Sequence, residues 1–411
     1  MAVYKISEFY CRAYQAAFRE AVKVLDWSEP QLVKGEGAIK RLPEIIKQNG
    51  HHSILIVTDK GLTSLHLLDD LYAGLKEQGI NYVVYDGVQP NPTIDNIEEA
   101  VRIYQNHRCS GVVAFGGGSP MDCAKVCAAR IARPGTPVKY MRGVLKVIKK
   151  LPLIYAVPTT AGTGSETTVA AVVSDPSTHE KYAINDPVLR PKYAVLDPTL
   201  TIGLPPHITS TTGMDALTHA VEAFIGQSNT EGTEEAAKKA VKLIFDNLYK
   251  AYENGKDIEA RENMLEASYL AGVAFTRAYV GYVHAIAHNI GGLYGTPHGL
   301  ANAVILPYVL EYYGESAYPR LAILADCAGL DTAGLSENEK GKLFIEEIKK
   351  LNEKMNIPKH LDIKEEDLTT LAQRALHEGN PLYPVPKIMD FNECLELLVK
   401  IGDIKSLEGE D

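Results

Sequence analysis

The sequence predicts an α/β fold class followed by an all-α one: a doubly wound parallel sheet in the first half and a helical domain in the second. Two observations predict this. Up to about residue 198, short β-branched runs alternate with helical patterns of 10 to 15 residues, as in a parallel sheet with helices on both faces. Past Leu204-Pro205-Pro206 the remaining sequence reads almost wholly as helix. At 411 residues the chain is long enough for two substantial cores, and the division falls between residues 1–204 and 205–411.

Taken in order, residues 1–27 carry charges throughout and lack the apolar centre of a signal peptide, so a short amphipathic surface helix is expected there. SILIVTD (53–59) reads as a strand, followed by a helix through LHLLDDLYAGLKEQG. NYVVYDG (81–87) is the next strand, with a helix through NIEEAVRIYQNH. Then come SGVVAFGGG (110–118), a helix from about Pro120, and LIYAVPTT (153–160). The stretch from AAVVSD to YAVLDP (170–198) supplies extra strands, and no internal repeat of fixed period is present.

Composition excludes several classes of function. Lysine and arginine total 42 against 52 acids, a net charge of −10, which argues against nucleic acid or an anionic membrane as the main partner. No apolar run approaches the ~18–20 residues that span a bilayer. The six cysteines (Cys11, Cys109, Cys123, Cys127, Cys327, Cys394) show neither zinc nor disulfide spacing. Cys123 and Cys127 lie four apart on a predicted helix and are read as packing. A reducing, cytoplasmic compartment fits.

GGGSPMDCAK (116–125) directly follows an apolar strand and opens a helix. Its glycines let the backbone approach an anion, and the helix N-terminus offers N–H groups to a pyrophosphate. Asp59 ends the strand ILIVTD, where a carboxylate accepts bonds from the hydroxyls of an adenosine ribose and repels a 2′-phosphate. That favours NAD over NADP; capping of the next helix is the other role open to Asp59. VPTTAGTGSETT (157–168) places hydroxyls and glycines in a loop after a further strand. Ligands of open α/β sheets bind at the carboxyl ends of the strands, so a cleft between the domains is the expected site.

The second half holds a metal-ligand pattern. Asp215 and His219 stand four apart in GMDALTHAVEAF, on one face of a helix. His284, His288 and His298 follow in GYVHAIAHNIGGLYGTPHGLANA. One carboxylate with two or three imidazoles suits Fe(II) or Zn(II) and poorly suits calcium or magnesium. Spacing alone leaves the fourth ligand open between His288 and His298.

From about residue 30 onward the chain resembles the iron-containing (group III) alcohol dehydrogenases, through VTDKGL, DGVQPNPT, GGGSPMDCAK, PTTAGTGSE, GMDALTHAVEAF and HAIAHNIGGLYGTPHGLANA. The resemblance implies a dehydroquinate synthase-like architecture, with a dinucleotide-binding domain, a helical domain, and divalent iron or zinc in the cleft. It implies Asp215, His219, His284 and His298 as metal ligands and His288 as a residue beside the substrate. Gly117, Gly118, Ser119 and Asp122 then match the pyrophosphate turn, and Asp59 the adenosine-side carboxylate. Asn91, Thr159, Thr160 and Thr163 match further cofactor contacts, and Lys181 a lysine on the nicotinamide ribose side. The chain departs from the pattern at Phe275-Thr276-Arg277-Ala278-Tyr279, where many relatives carry an asparagine two positions past the phenylalanine. It departs again at Asn289, where proline or glutamine is common. Arg277 is read as pairing with a carboxylate rather than with an acidic substrate.

The expected function is NAD(H)-dependent oxidation of small primary alcohols or reduction of their aldehydes, with the metal activating the oxygen and His288 relaying the proton. An acidic or diol substrate (hydroxy acid, 1,3-propanediol or lactaldehyde type) is the alternative within the family. A dehydroquinate-synthase-like lyase and a non-catalytic metal- and nucleotide-binding scaffold are the alternatives outside it. By analogy with the family, a homodimer or higher homo-oligomer is expected.

Overall fold

In the computed structural model, which describes residues 7–176 and 180–404, nine strands and fifteen α-helices are found among the described residues. The strands are β1 (Gln31–Lys34), β2 (Ser53–Val57), β3 (Asn81–Tyr85), β4 (Gly111–Gly116) and β5 (Gly143–Val144). Next come β6 (Leu153–Pro158), β7 (Ala170–Asp175), β8 (Glu180–Asn185) and β9 (Tyr193–Leu196). The first helices are α1 (Glu8–Ala21), α2 (Leu42–Gln48), α3 (Lys60–Ser64), α4 (Asp69–Glu77), α5 (Ile94–Asn106) and α6 (Gly118–Ala132). Then follow α7 (Pro206–Ile225), α8 (Glu231–Glu253), α9 (Ile258–Ala278), α10 (Tyr282–Tyr294) and α11 (His298–Tyr313). The last are α12 (Tyr318–Cys327), α13 (Glu337–Lys354), α14 (Leu368–Gly379) and α15 (Phe391–Ile401).

Six strands form one wholly parallel sheet in the order β1-β9-β6-β4-β2-β3. Successive side chains along a strand point to opposite faces. Ile54, Ile56, Val113, Phe115, Tyr155 and Val157 therefore pack with Leu42 and Ile46 of α2 and Leu71 and Leu75 of α4. Leu55, Val57, Val112, Ala114, Ile154 and Ala156 pack on the other face with Ile97 and Val101 of α5 and Met121 and Val126 of α6. Both faces are covered, which is why these strands read as continuous apolar runs rather than alternating ones. Of the extra strands, only β9 joins this sheet; β7 and β8 pair antiparallel in a second sheet of order β5-β8-β7. Cys123 and Cys127 lie on the buried face of α6, where burial pushes both thiols up, and they are free.

Internal contacts divide the chain into two compact units. The helical unit comprises Met1–Leu25, Pro205–Asn254 and Arg277–Asp411; the α/β unit comprises Asp26–Leu204 and Gly255–Thr276. One boundary falls at Pro205, and each unit is assembled from more than one stretch of chain. Helix α1 packs with the helical unit. Most of α9 belongs to the α/β unit, where Glu266 pairs with Lys34 at 3.0 Å and the Tyr269 hydroxyl stands 3.3 Å from Glu29 Oε2.

Within the helical unit, α7 packs on α8 and α11, and α10 packs on α11 and α14. A Cβ at Gly299, on the first turn of α11, would run into the Thr211 carbonyl of α7. Glycine there lets the two helix backbones approach, which sets His298 beside the α7 side chains. Among the described residues, no helix is long and apolar enough to cross a membrane.

Candidate active site

Helix α7 presents Asp215 and His219, α10 presents His284, and α11 begins with His298. Each offers one donor atom, and the four atoms lie within 4.8 Å of one another. Asp215, His219 and His284 are buried and His298 partly so. The Asp215 Oδ1 is 3.4 Å from His298 Nε2 and 4.0 Å from His284 Nε2. Donors on a tetrahedron at ordinary iron or zinc bond lengths are about 3.4 Å apart, so the set fits such an ion. His288 is not among the four. Its ring lies alongside His298 with centroids 5.1 Å apart, and its Nδ1 stands 2.6 Å from Glu378 Oε1 of α14.

Three residues around this cluster escaped the sequence reading. Glu222, three residues after His219 on α7, stands 2.6 Å from His284 Nδ1 and accepts the Val283 N–H at 2.8 Å. With its Nδ1 proton held there, His284 turns a bare Nε2 toward Asp215. Burial pushes the Glu222 carboxyl up to about 7, while the hydrogen bonds from Gly281, Val283 and His284 oppose that rise. Burial holds His284 well below the usual imidazole range, which favours the neutral form that can donate a lone pair. The i, i+3 spacing of His219 and Glu222 was the available signal. Asn302, one turn after His298, donates from Nδ2 to Asp215 Oδ1 at 2.6 Å. Glu378 receives Asn289 Nδ2 at 3.2 Å and the Tyr383 hydroxyl at 3.1 Å, so the departure at Asn289 acquires a role. Arg277 lies half-buried in the last turn of α9. Glu222→Gln is expected to lower metal affinity about 10- to 100-fold, measured by competition with a chelator; an unchanged affinity would show that the His284 tautomer is fixed by other means.

The glycine turn lies in the α/β unit. Strand β4 ends at Gly116, Gly117 caps α6 with extended backbone, and the helix opens at Gly118. A Cβ on Gly117 would stand 3.2 Å from Thr160 Oγ1, and one on Gly118 would stand 3.0 Å from Thr163 Cγ2. The structure therefore brings Gly117, Gly118, Thr160 and Thr163 together, with Thr159 tied to Gly116 by a 3.1 Å backbone bond. The Ser119 hydroxyl accepts the Asn91 N–H at 3.1 Å, and Asn91 has a left-handed φ of 59°. Lys181 on β8 pairs with Ser174 on β7, and the Ser174 N–H reaches the Pro92 carbonyl at 2.9 Å, so Lys181 and Asn91 sit on linked segments. Asp59 caps α3, accepting the Leu62 N–H at 3.1 Å. The Asp122 carboxylate turns inward, accepting from Ser165 Oγ at 3.1 Å and the Val172 N–H at 3.0 Å. A buried lysine that the sequence reading passed over, Lys125, anchors the same loop: its Nζ donates to Ser165 Oγ (2.9 Å), Thr168 Oγ1 (2.7 Å) and the Ala170 carbonyl (2.9 Å).

A parallel α/β unit with a glycine turn at a helix N-terminus, and a helical unit with a buried Asp/His₃ cluster, together define a metal-dependent class of nucleotide-using enzyme. Residues 30–198 match the family model described as iron-containing alcohol dehydrogenase, and residues 209–401 match that of the Fe-containing alcohol dehydrogenase family, C-terminal. The chain is 41% identical over 351 residues to 1,3-propanediol dehydrogenase of Citrobacter freundii, covering 84% of this chain and 90% of that protein. It is 37% identical over 352 residues to NAD-dependent methanol dehydrogenase of Bacillus methanolicus, covering 85% and 92%. A crystal structure of a 1,3-propanediol oxidoreductase matches with a TM-score of 0.89 at 38% identity, covering 92% of this chain and 100% of that one. The chain belongs to the iron-containing alcohol dehydrogenase family and is an oxidoreductase. That membership sets aside the lyase and the non-catalytic scaffold.

Proposed function

We propose that the chain moves hydride between NAD(H) and small primary alcohols or their aldehydes, with Fe(II) or Zn(II) held by Asp215, His219, His284 and His298. The buried Asp/His₃ cluster, with Glu222 behind His284, carries this reading. Similarity to dehydrogenases named for propanediol and for methanol, the latter NAD-dependent, supports small alcohols and NAD. When bound, a divalent metal lowers the pKa of a hydroxyl and polarises a carbonyl.

The chain's own residues bind, orient and move the proton. The first turn of α6, with Gly117, Gly118 and Ser119, offers N–H donors to a pyrophosphate, and Thr159, Thr160 and Thr163 line the approach. Asp122 fastens the turn from within. Asp59, besides capping α3, accepts ribose hydroxyls and disfavours the 2′-phosphate of NADP. Asn91 and Lys181 hold the nicotinamide ribose side. His288 takes the hydroxyl proton at Nε2, and the Glu378 carboxylate beside Nδ1 stabilises the imidazolium that results. A cytoplasmic homo-oligomer, dimeric or larger, is the proposed setting.

The test is turnover by the metal-loaded enzyme across short alcohols, 1,3-diols and their aldehydes, with NAD and NADP compared by kcat/KM. Turnover with several small alcohols and at least about a tenfold preference for NAD is expected, since one carboxylate–phosphate clash is of order 1–2 kcal/mol. Silence across the panel from enzyme that holds both metal and NAD would overturn the substrate assignment. His288→Asn is expected to lower kcat about 10²-fold while metal content and NAD affinity stay unchanged. Full kcat in that variant would remove the relay.

A further inference from the structure

Helix α1 lies ahead of residue 30, where the family match begins. We infer that α1 is a positioning element for the reaction: Arg12 and Gln15 fix the loop 380–386, whose Tyr383 holds the Glu378 carboxylate against His288. This rests on the reading of His288 as the proton relay.

The loop is Asn380-Pro381-Leu382-Tyr383-Pro384-Val385-Pro386. Its three prolines have no N–H, so apart from the 2.9 Å bond from the Val385 N–H to the Tyr383 carbonyl its carbonyls depend on donors from elsewhere. Helix α1 supplies most of them. Arg12 donates from Nη1 to the Val385 carbonyl at 2.7 Å and from Nη2 to the Pro386 carbonyl at 3.0 Å. Gln15 donates from Nε2 to the carbonyls of Pro381 at 3.0 Å and Tyr383 at 2.7 Å. The Arg12 guanidinium also bonds Gln15 Oε1 at 3.1 Å, so the two side chains act as one brace. Gln227, just past α7, adds its N–H to the Pro384 carbonyl at 2.7 Å and is held in turn by Arg12 and Arg19.

Tyr383 joins this brace to the chemistry. Its carbonyl is held by Gln15, and its hydroxyl donates to Glu378 Oε1 at 3.1 Å, the oxygen that stands 2.6 Å from His288 Nδ1. Burial and the Glu378 charge hold the Tyr383 phenol well above its usual range, so it donates as a neutral hydroxyl. The Tyr383 N–H stays on the Gly379 carbonyl of α14 at 2.7 Å, but a loop released from α1 frees the ring to turn away from Glu378. The carboxylate then keeps Asn289 but loses a fixed direction toward the imidazole.

The experiment is a mutant cycle on the metal-loaded full chain: Arg12→Ala/Gln15→Ala, Tyr383→Phe and the triple variant, with His288→Asn as the control. Expected is a kcat lowered about tenfold in the double variant, a part of the 10²–10⁴ that a positioned acid–base group supplies, with KM for NAD unchanged. Tyr383→Phe should match it, and the triple variant should be no worse than either, because the residues act through one path. Arg12→Lys should restore part of the rate. Full kcat in the double variant while His288→Asn is impaired removes the brace alone, as does a triple variant whose losses multiply to about a hundredfold. Full kcat in His288→Asn removes the relay and the brace with it. If the double variant does not fold, Gln15→Ala alone decides the matter, since Arg12 still holds the Val385 and Pro386 carbonyls: a kcat lowered as in Tyr383→Phe supports the brace, and full kcat removes it.

Discussion

Asp215→Ala is expected to strip the enzyme of its metal and lower kcat/KM at least about 10³-fold, equivalent to about 4 kcal/mol of transition-state stabilisation. Asp215 is the only carboxylate among the four clustered donors and is buried on α7. Without it, neutral imidazoles alone would face a dication in a poorly solvated site, with no anionic ligand to offset its desolvation. Metal content by elemental analysis, read beside turnover, checks the prediction. One equivalent of metal retained in Asp215→Ala would sink the ligand assignment.

Lys125→Met is expected to cost about 3 kcal/mol of stability and to raise KM for NAD several-fold. Lys125 is fully buried, and burial draws its ammonium down to about 8 against the opposing charges of Asp122 and Glu166. Methionine keeps much of the volume but supplies no donor. The hydroxyls of Ser165 and Thr168 and the Ala170 carbonyl would lose theirs, and Asp122 would lose its nearby cation. The loop of Thr159, Thr160 and Thr163 depends on that anchor for its place against Gly117 and Gly118. Denaturant unfolding and NAD kinetics measure the two effects. A variant with wild-type midpoint and wild-type KM would show the anchor to be dispensable.

Legibility in the sequence follows how local each feature's physics is. Strands β2, β4 and β6 were plain because burial on both faces makes them unbroken apolar runs. Strand β1, QLVK, was missed: it is a largely exposed edge strand whose pairing with β9 lies about 160 residues away, so neither run length nor alternation marks it. The four clustered donors were readable as candidates because two lie on one helix face and the others in a histidine-rich stretch, although spacing could not choose between His288 and His298. The groups that orient the cluster and His288 were not readable, because Glu222 reaches His284 from 62 residues away and Glu378 reaches His288 from 90. Nothing local in the sequence marks Lys125; only the fold shows that its ammonium ends among buried oxygens. The brace from α1 joins positions more than 360 residues apart, beyond any local pattern.

The measurement that bears most directly on the central claim is an anaerobic Fe(II) titration of the metal-free enzyme, with NADH formation from a short primary alcohol read at each step. The expected result is turnover that rises in proportion to bound iron, saturates at one ion per chain and disappears on chelation. Turnover that ignores added Fe(II) and Zn(II) alike, or metal that binds without any turnover, would contradict the assignment of Asp215, His219, His284 and His298 as the catalytic metal site.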